Sequence, residues 1–265
     1  MKKQAVAQNA LFCCTASLGK IEETADQFAR SCHGNISPLL WRVPNLIWAL
    51  CITFISVTSF WGPTEMFLLY MTHWGLMFII IESIFGIVVA VMERNEKSDA
   101  TFGLPWYVKV YWVLYNITIP VAFLITVFYW GVLRTSGKIV NYAPNPVIDI
   151  MLHGVNSLVM LVELVFSAHP SRLLHVMQPL YFAGVYLLFT IIYFFAGGQD
   201  PLGNHYIYPT LDWKLPGQTA IMAVVAAVSL IVVYLLVVAL GAIRDALTGN
   251  FAMRSETMHV STEPY

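Results

Sequence analysis

The sequence predicts an all-α, polytopic membrane protein, a bundle of six transmembrane helices. Only 11% of the 265 residues are charged and 58% are hydrophobic, whereas soluble domains carry about 25% charged residues. Six apolar segments each reach the roughly 20 residues that a helix needs to cross a bilayer. The mean hydropathy of +0.69 agrees, because a soluble chain could not cover so much apolar surface in water.

The six predicted spans follow one another through short connections. The segments before and after them are polar, so we expect residues 1–38 to form a cytoplasmic N-terminal arm without a cleavable signal peptide. Residues 244–265 form a short cytoplasmic tail, and residues 39–243 form one membrane domain. Pro120 is expected to kink the third span. The spans cover approximately residues 39–60, 66–92, 106–133, 146–168, 176–196 and 217–243.

The distribution of basic residues predicts that both termini are cytoplasmic. Eleven of the 14 Lys and Arg residues then lie on the cytoplasmic side, and only Arg134, Lys138 and Lys214 lie on the other. This follows the excess of Lys and Arg that cytoplasmic loops carry. The connections after the first, third and fifth spans therefore face the lumen or the cell exterior.

Ionisable residues inside two spans are the main functional signal. His73 and Glu82 lie in the second span, and His153 and Glu163 lie in the fourth, with Asp149 near its outer end. Such residues are costly in a membrane, usually face the bundle interior, and are candidates for a functional site.

The second and fourth spans run in the same direction, so equal intervals along them place residues at equal depth. Thr72 and His153 come six and seven residues after the predicted starts of their spans, roughly 10 Å below the outer ends at 1.5 Å per residue. Glu82 and Glu163 each come ten residues later. Each span carries one polar stripe at helical spacing, and we expect the two stripes to face a shared interior. The stripes are Thr72, Gly75, Ile79, Glu82 and Gly86, and His153, Asn156, Met160, Glu163 and Ser167.

The chemistry that this pattern favours is a threonine nucleophile with a histidine base. A hydroxyl is a poor nucleophile until a base takes its proton, and imidazole suits that role because its pKa lies near neutrality. Asp149, one turn before His153, is placed to orient the ring, and Asn156 to donate a hydrogen bond to an oxyanion. A lipid ester or amide is the substrate that a site within the membrane favours.

Structural explanations compete with each of these roles. A threonine in a span often donates to its own helix, and span His and Asn residues often join helices by hydrogen bonds. Glu82 and Glu163 would then be protonated and paired. A zinc site using His73, His153 and a glutamate is disfavoured, because the compact spacings HxxxH and HxxEH are absent. No metal and no cofactor is predicted.

Six stretches of the sequence resemble the rolling stone family of insect membrane proteins, which is linked to myoblast fusion. The likeness extends over about residues 39–241. It is carried by LWR at 40–42, YMT at 70–72, HGVNS at 153–157, HPSRLLH at 169–175, GG at 197–198 and IYPTLDW at 207–213.

More distantly, the sequence is similar to the androgen-induced membrane proteins, which are described as threonine hydrolases that cleave fatty acid esters of hydroxy fatty acids. The resemblance implies that Thr72, after an aromatic and a hydrophobic residue, is the nucleophile. It implies that His153, ahead of Asn156, is the base. His73 departs from the pattern, since the hydrolases carry an aromatic residue there.

Two functions follow as expectations. One is a threonine-dependent hydrolase of lipid esters in the plasma membrane or endoplasmic reticulum, with membrane lipid as partner. The other is a non-enzymatic membrane protein of cell–cell fusion or adhesion that acts through the loop at 197–216. A transporter using Glu82 and Glu163 as a relay is disfavoured, since no inverted repeat is evident. The net charge of −1 argues against a nucleic-acid partner.

Overall fold

The computed structural model describes residues 24–34, 36–93, 103–135 and 145–249. Six helices in these ranges are long and apolar enough to cross a membrane, which confirms the predicted fold class. These ranges contain no β-strand, only an isolated antiparallel bridge between Ser31 and Ser167. We number the long helices α1 (Leu39–Thr58), α2 (Met71–Met92), α3 (Trp106–Leu133), α4 (Pro146–Phe166), α5 (Leu173–Phe195) and α6 (Pro216–Thr248).

Two helix boundaries differ by five residues from the sequence prediction, and the others agree within three residues. Thr64–Leu69 forms a separate 3₁₀ helix, and the extended backbone of Tyr70 (φ −93°, ψ 133°) separates it from α2. Thr72 is therefore the second residue of α2 and does not lie six residues inside it. The sixth helix runs to Thr248 and ends where Gly249 adopts φ +74°, a left-handed conformation that glycine adopts without steric cost.

Both α3 and α4 contain π-helical turns. Tyr129–Leu133 forms the end of α3, and Met151–Val155 follows the short α-helical stretch Pro146–Ile150 in α4. The two turns are adjacent, since Trp130 Nε1 in one donates to the His153 carbonyl in the other at 3.0 Å. Single π turns are rare and often occur at functional sites, so this end of the bundle is where a site is expected.

Helix α3 is the central helix of the bundle and packs against α2, α4, α5 and α6, while α1 packs on α2. Gly86 of α2 allows α1, α2 and α3 to approach closely, because a Cβ there would lie 3.1 Å from both Arg42 and Tyr111. In α5 and α6, most of the apolar surface faces outward, as Val185 and Val224 illustrate. Those faces are suited to contact lipid.

The described part of the predicted N-terminal arm packs against one end of the bundle. Phe28 is fully buried, with its ring 5.1 Å from Trp112 and 5.0 Å from His169. The backbone is held as well, since Cys32 N donates to the Phe166 carbonyl at 3.0 Å. Residues 24–34 thus belong to the packed structure. On which side of the membrane the termini lie remains a prediction.

Candidate active site

Thr72 and His153 come together where α2 meets the π turn of α4. The Thr72 hydroxyl oxygen lies 3.3 Å from His153 Nε2, within hydrogen-bonding distance. Both residues lie near the starts of their helices, so they meet at one end of the bundle. The shared polar layer expected from the two sequence stripes is therefore present at these two residues.

Thr72 does not make the contact that most threonines of this bundle make. Thr53 donates to the Ala49 carbonyl at 2.6 Å, and Thr118 donates to the Leu114 carbonyl at 2.7 Å, each four residues earlier in its own helix. The carbonyl four residues before Thr72, that of Leu68, accepts from Trp74 Nε1. Because Thr72 is only the second residue of α2, its hydroxyl points toward His153 instead.

A buried carboxylate orients the His153 ring. Asp149 Oδ1 lies 2.9 Å from His153 Nδ1, and Asp149 Oδ2 accepts from Arg134 Nη1 at 2.7 Å. A carboxylate can only accept from Nδ1, so we assign the imidazole proton to that nitrogen. The lone pair of Nε2 then faces the Thr72 hydroxyl, which is the arrangement that a general base requires.

Two aromatic residues of the α3 π turn hold the same histidine. The ring of Tyr129 stacks on the imidazole of His153, with centroids 3.5 Å apart and planes inclined by 7°. The hydrogen bond from Trp130 fixes the backbone of His153. Sequence reasoning assigned neither Tyr129 nor Trp130 to the site, because nothing in the local sequence indicates a π turn.

Tyr208 reaches the site from the loop between α5 and α6. Its hydroxyl accepts from Met71 N at 3.0 Å and interacts with the side chains of Thr72 and Tyr186. Burial raises the pKa of Tyr208 to about 12, so the phenol keeps its proton and can donate. Sequence reasoning did not assign Tyr208 a role, although the IYPTLDW stretch that contains it carried part of the family resemblance.

The other predicted site residues, His73 and Asn156, make their contacts with residues other than Thr72. His73 stacks on Phe67, with centroids 3.6 Å apart, and its Nδ1 contacts the Phe67 carbonyl. Asn156 lies one turn beyond His153, and its amide oxygen accepts from Ser157 N at 2.7 Å and from Thr126 at 3.3 Å. Thr72 lines two cavities of the bundle, and Asn156 lines neither of them. The structure therefore does not bring Asn156 to the position expected of an oxyanion donor.

Two cavities meet at Thr72. The larger has a volume of about 240 Å³ and an apolar wall built from α3, α5 and α6. The smaller, of about 30 Å³, is lined by His73 and His153 together with aromatic and apolar side chains. Thr72, Tyr129 and Tyr208 line both, so a ligand in either cavity reaches the same hydroxyl.

Glu163 lies in a separate buried cluster. Its carboxylate accepts from four donors, three at Oε1 and one at Oε2. None of the four is Glu82, so these hydrogen bonds do not form the glutamate pair that one sequence interpretation offered. The donors are Arg42 Nε at 3.0 Å, Trp41 Nε1 at 2.6 Å, Tyr111 Oη at 2.7 Å and Ser167 Oγ at 2.7 Å.

Arg42 and Glu82 complete this cluster. Arg42 was counted among the basic residues of the cytoplasmic side, yet it is 1% exposed and donates to the carbonyls of Phe28 and Gly86. Glu82 is also buried, and in the described part of the chain its Oε1 accepts no hydrogen bond. Its other oxygen lies 3.5 Å from the Ser83 hydroxyl. Among the described residues, no group of three or more His, Cys, Asp or Glu side chains is placed to hold a metal ion.

Comparison with known proteins gives one family. The family model described as "Protein rolling stone" matches residues 26–259. A relative of that name from Drosophila melanogaster is 36% identical over 165 residues, which cover 57% of this chain and 58% of the relative. The match thus spans little more than half of that protein's length. No solved structure matches the chain.

Proposed function

The chain belongs to the rolling stone family of multi-pass membrane proteins, and from that premise we propose that it is an intramembrane lipid ester hydrolase with Thr72 as nucleophile. One observation carries the proposal. The Thr72 hydroxyl lies 3.3 Å from a histidine nitrogen, and the other nitrogen of that ring is bound to a buried carboxylate. This is the geometry by which a hydroxyl group is activated for acyl transfer.

In the first half of the reaction, Thr72 Oγ attacks the ester carbonyl while His153 Nε2 takes the hydroxyl proton. Asp149 stabilises the imidazolium that forms. The carbonyl oxygen becomes an oxyanion, and we assign Tyr208 Oη as the donor that stabilises it. The C–O bond to the alcohol then breaks, the alcohol takes the proton from His153, and the acyl group remains on Thr72.

In the second half, water cleaves the acyl-threonine ester. The cavity of about 30 Å³ between His73 and His153 has room for one water molecule. His153 takes a proton from this water, the hydroxide attacks the acyl carbonyl, and the proton passes to the Thr72 oxygen as it leaves. The sum is one ester and one water giving one carboxylic acid and one alcohol.

The surroundings support a lipid as the substrate. The larger cavity at Thr72 is apolar, and the helices that form it, α5 and α6, present apolar side chains such as Leu188 and Val228 outward. An ester with two hydrocarbon chains would partition into the bilayer around such a surface. Within this class we propose fatty acid esters of hydroxy fatty acids as the substrate.

The test uses the purified full chain in lipid nanodiscs, offered a branched fatty acid ester of a hydroxy fatty acid and, separately, a fluorophosphonate probe. We expect Thr72→Ala to lower ester hydrolysis by about 10³-fold or more and to abolish labelling. Thr53→Ala is the matched control, because it removes a span threonine that bonds to its own helix. Equal hydrolysis and labelling of the wild type and Thr72→Ala would overturn the proposal.

Cell–cell fusion or adhesion is the second candidate, favoured by the ordered loop between α5 and α6. Asp200 accepts from Leu202 N and from both nitrogens of Asn204, and the Leu202 side chain is exposed at the turn. A fusion assay that compares Thr72→Ala with Leu202→Asp separates the two functions. Loss with Leu202→Asp alone favours adhesion. Replacing the whole loop would not discriminate, because it also removes Tyr208 from the active site.

A further inference from the structure

We propose that the apolar cavity beside Thr72 binds the acyl chain of the substrate, with a chain-length limit set by small residues of α5 and α6. This inference rests on the proposed hydrolase function and deepens it, since it assigns the acyl part of the substrate to a defined place in the bundle. The cavity measures about 240 Å³. It is a partly open, largely apolar cleft with the polar groups of Thr72 and Tyr208 at one end, which is the form that small-molecule sites usually take.

The cavity begins at the level of Thr72. Tyr186 Oη donates to the Leu69 carbonyl at 2.7 Å, which places Tyr186 and its neighbour Leu187 level with the start of α2. Tyr208 and Thr72 line the same end. A carbonyl carbon within reach of the Thr72 hydroxyl therefore lies at the mouth of the cavity.

From that level the cavity runs inward along α5. Leu187, Gly184, Ala183 and Leu180 line it and form one helical stripe at the i, i+3, i+4, i+7 spacing. The seven steps of the chain between Leu180 and Leu187 correspond to roughly 10 Å of helix. The long axis of the cavity is thus parallel to the bundle, which is also the direction of hydrocarbon chains in a bilayer.

The apolar cavity exists because several of its lining residues have small side chains. On α6 the lining residues include Ala223, Ala226 and Ala227, and on α5 they include Gly184. Gly184 is exposed, and a Cβ there would meet no atom within 4 Å. A Cβ at this position is therefore accommodated without a clash, and we expect a larger side chain there to occupy the open part of the cavity.

The second cavity at Thr72 is unsuited to a chain. It measures about 30 Å³, which is the space of a water molecule. The smaller cavity is too small for an acyl chain. Of the two cavities at Thr72, the apolar one is therefore the one that can hold it.

The first experiment measures acyl-chain selectivity. Wild type, Gly184→Phe and Ala226→Phe are purified in nanodiscs and offered esters of one alcohol, from butanoyl to octadecanoyl. We expect both variants to lose about tenfold or more in kcat/KM for the long chains and to retain the short chains. Val185→Phe is the matched control, since Val185 is the next residue on α5 but faces outward and does not line the cavity. An unchanged long-to-short ratio in both cavity variants would overturn the proposal.

The second experiment does not depend on turnover. A fatty acid ester with a diazirine at the end of its acyl chain is photolysed with Thr72→Ala, and the labelled peptides are identified by mass spectrometry. We expect labels on α5 and α6 between residues 180 and 227, reduced by a further Gly184→Phe change. Labels scattered over the outer faces of the bundle would refute acyl binding in the cavity. Specific labels together with an inactive wild type would refute only the hydrolase function.

Discussion

At the scale of single residues, the candidate site is an arrangement of hydrogen-bond donors and acceptors around one imidazole. Asp149 faces His153 on one side, Thr72 lies on the other, and Tyr129 covers the ring face. Each contact limits the orientation of the ring. Asp149 acts on the reaction only through His153, so it is a positioning residue whose effect is on the tautomer of the base.

Replacing Asp149 tests that role. Asp149→Asn keeps the size of the side chain but removes the charge and allows the other tautomer, so we expect hydrolysis to fall by up to about 10⁴-fold. The change should fall on kcat and alter its pH profile, which a purely structural role would not do. Arg134→Gln is the control, because it removes only the half-exposed partner of Asp149 and exposed ion pairs contribute little. Equal losses in both variants would contradict the assignment.

Tyr208 is the residue that we expect to stabilise the oxyanion. Tyr208→Phe removes one hydroxyl beside Thr72, and loss of one such donor lowers kcat by about 10² to 10³-fold. Tyr206→Phe, in the same loop, has its ring against His205 and should leave kcat unchanged. A change in KM alone would assign Tyr208 to substrate binding instead.

The raised pKa of Tyr208 adds a pH prediction. Burial moves this pKa from 10.0 to about 12, so the donor keeps its proton at pH values where an exposed tyrosine loses it. The pH profile of wild-type hydrolysis should therefore show no fall centred at pH 10. Such a fall, absent from Tyr208→Phe, would mean that the phenol titrates normally and is not buried as described.

At the scale of the helices, one ion pair joins elements that are distant in the chain. Arg42 of α1 pairs with Glu163 of α4 at 3.0 Å and also donates to the Gly86 carbonyl of α2 and the Tyr111 hydroxyl of α3. Removing one partner of a buried pair leaves an uncompensated charge. We infer that this cluster fixes the relative positions of α1 to α4 and so supports the site indirectly.

The two buried glutamates are therefore expected to differ in their effect on stability. Glu163→Gln leaves Arg42 without its hydrogen-bonded counter-charge and should lower the free energy of unfolding by about 3–5 kcal/mol. Glu82→Gln changes a carboxyl whose nearest described donor is 3.5 Å away, so the effect should stay within about 1 kcal/mol. Reversible unfolding in detergent micelles measures both. A larger loss for Glu82→Gln would place the essential carboxylate in α2 instead.

The helices also show where sequence reasoning reached its limit. Hydropathy located all six spans, because the length of an apolar segment is a local property. It extended the second span through residues 66–70, since a 3₁₀ turn and an α-helix have similar apolar composition. The π turns that carry Tyr129 and His153 have no compositional signature, because they insert a single residue into otherwise helical hydrogen bonding.

At the scale of the whole molecule, the bundle has two ends that differ in their buried polar groups and an apolar outer face between them. The end at which α2, α4 and α6 begin carries Thr72, His153 and the loop with Tyr208. The other end holds the buried cluster around Glu163, closed by Phe28 of the N-terminal segment. Between them the outward faces of α5 and α6 are apolar, and Gly184 in the cavity lining is exposed. We infer that a ligand dissolved in the bilayer enters the cavity here.

Much of this protein could be predicted from local sequence properties. Apolar length gave the six membrane helices, and the 3.6-residue period aligned Thr72 with His153 and Glu82 with Glu163. The fold prediction was confirmed. The structure also places Thr72 and His153 3.3 Å apart, although Thr72 is the second residue of its helix and not six residues inside it, as the predicted depth assumed. The Asp149–His153 contact was predictable from helix geometry, because the two residues lie one turn apart on the same helix.

The partners that complete the site come from distant parts of the chain. Tyr208 meets Met71 across 137 residues, and Arg42 meets Glu163 across 121. No periodic pattern links such pairs, because which polar groups are buried together depends on how all six helices pack. In the same way, the 240 Å³ cavity exists only where Gly184 and the alanines of α6 face α3. Packing thus determined the donors, the cavity and the charge partners, since burial without a partner is costly for every polar group.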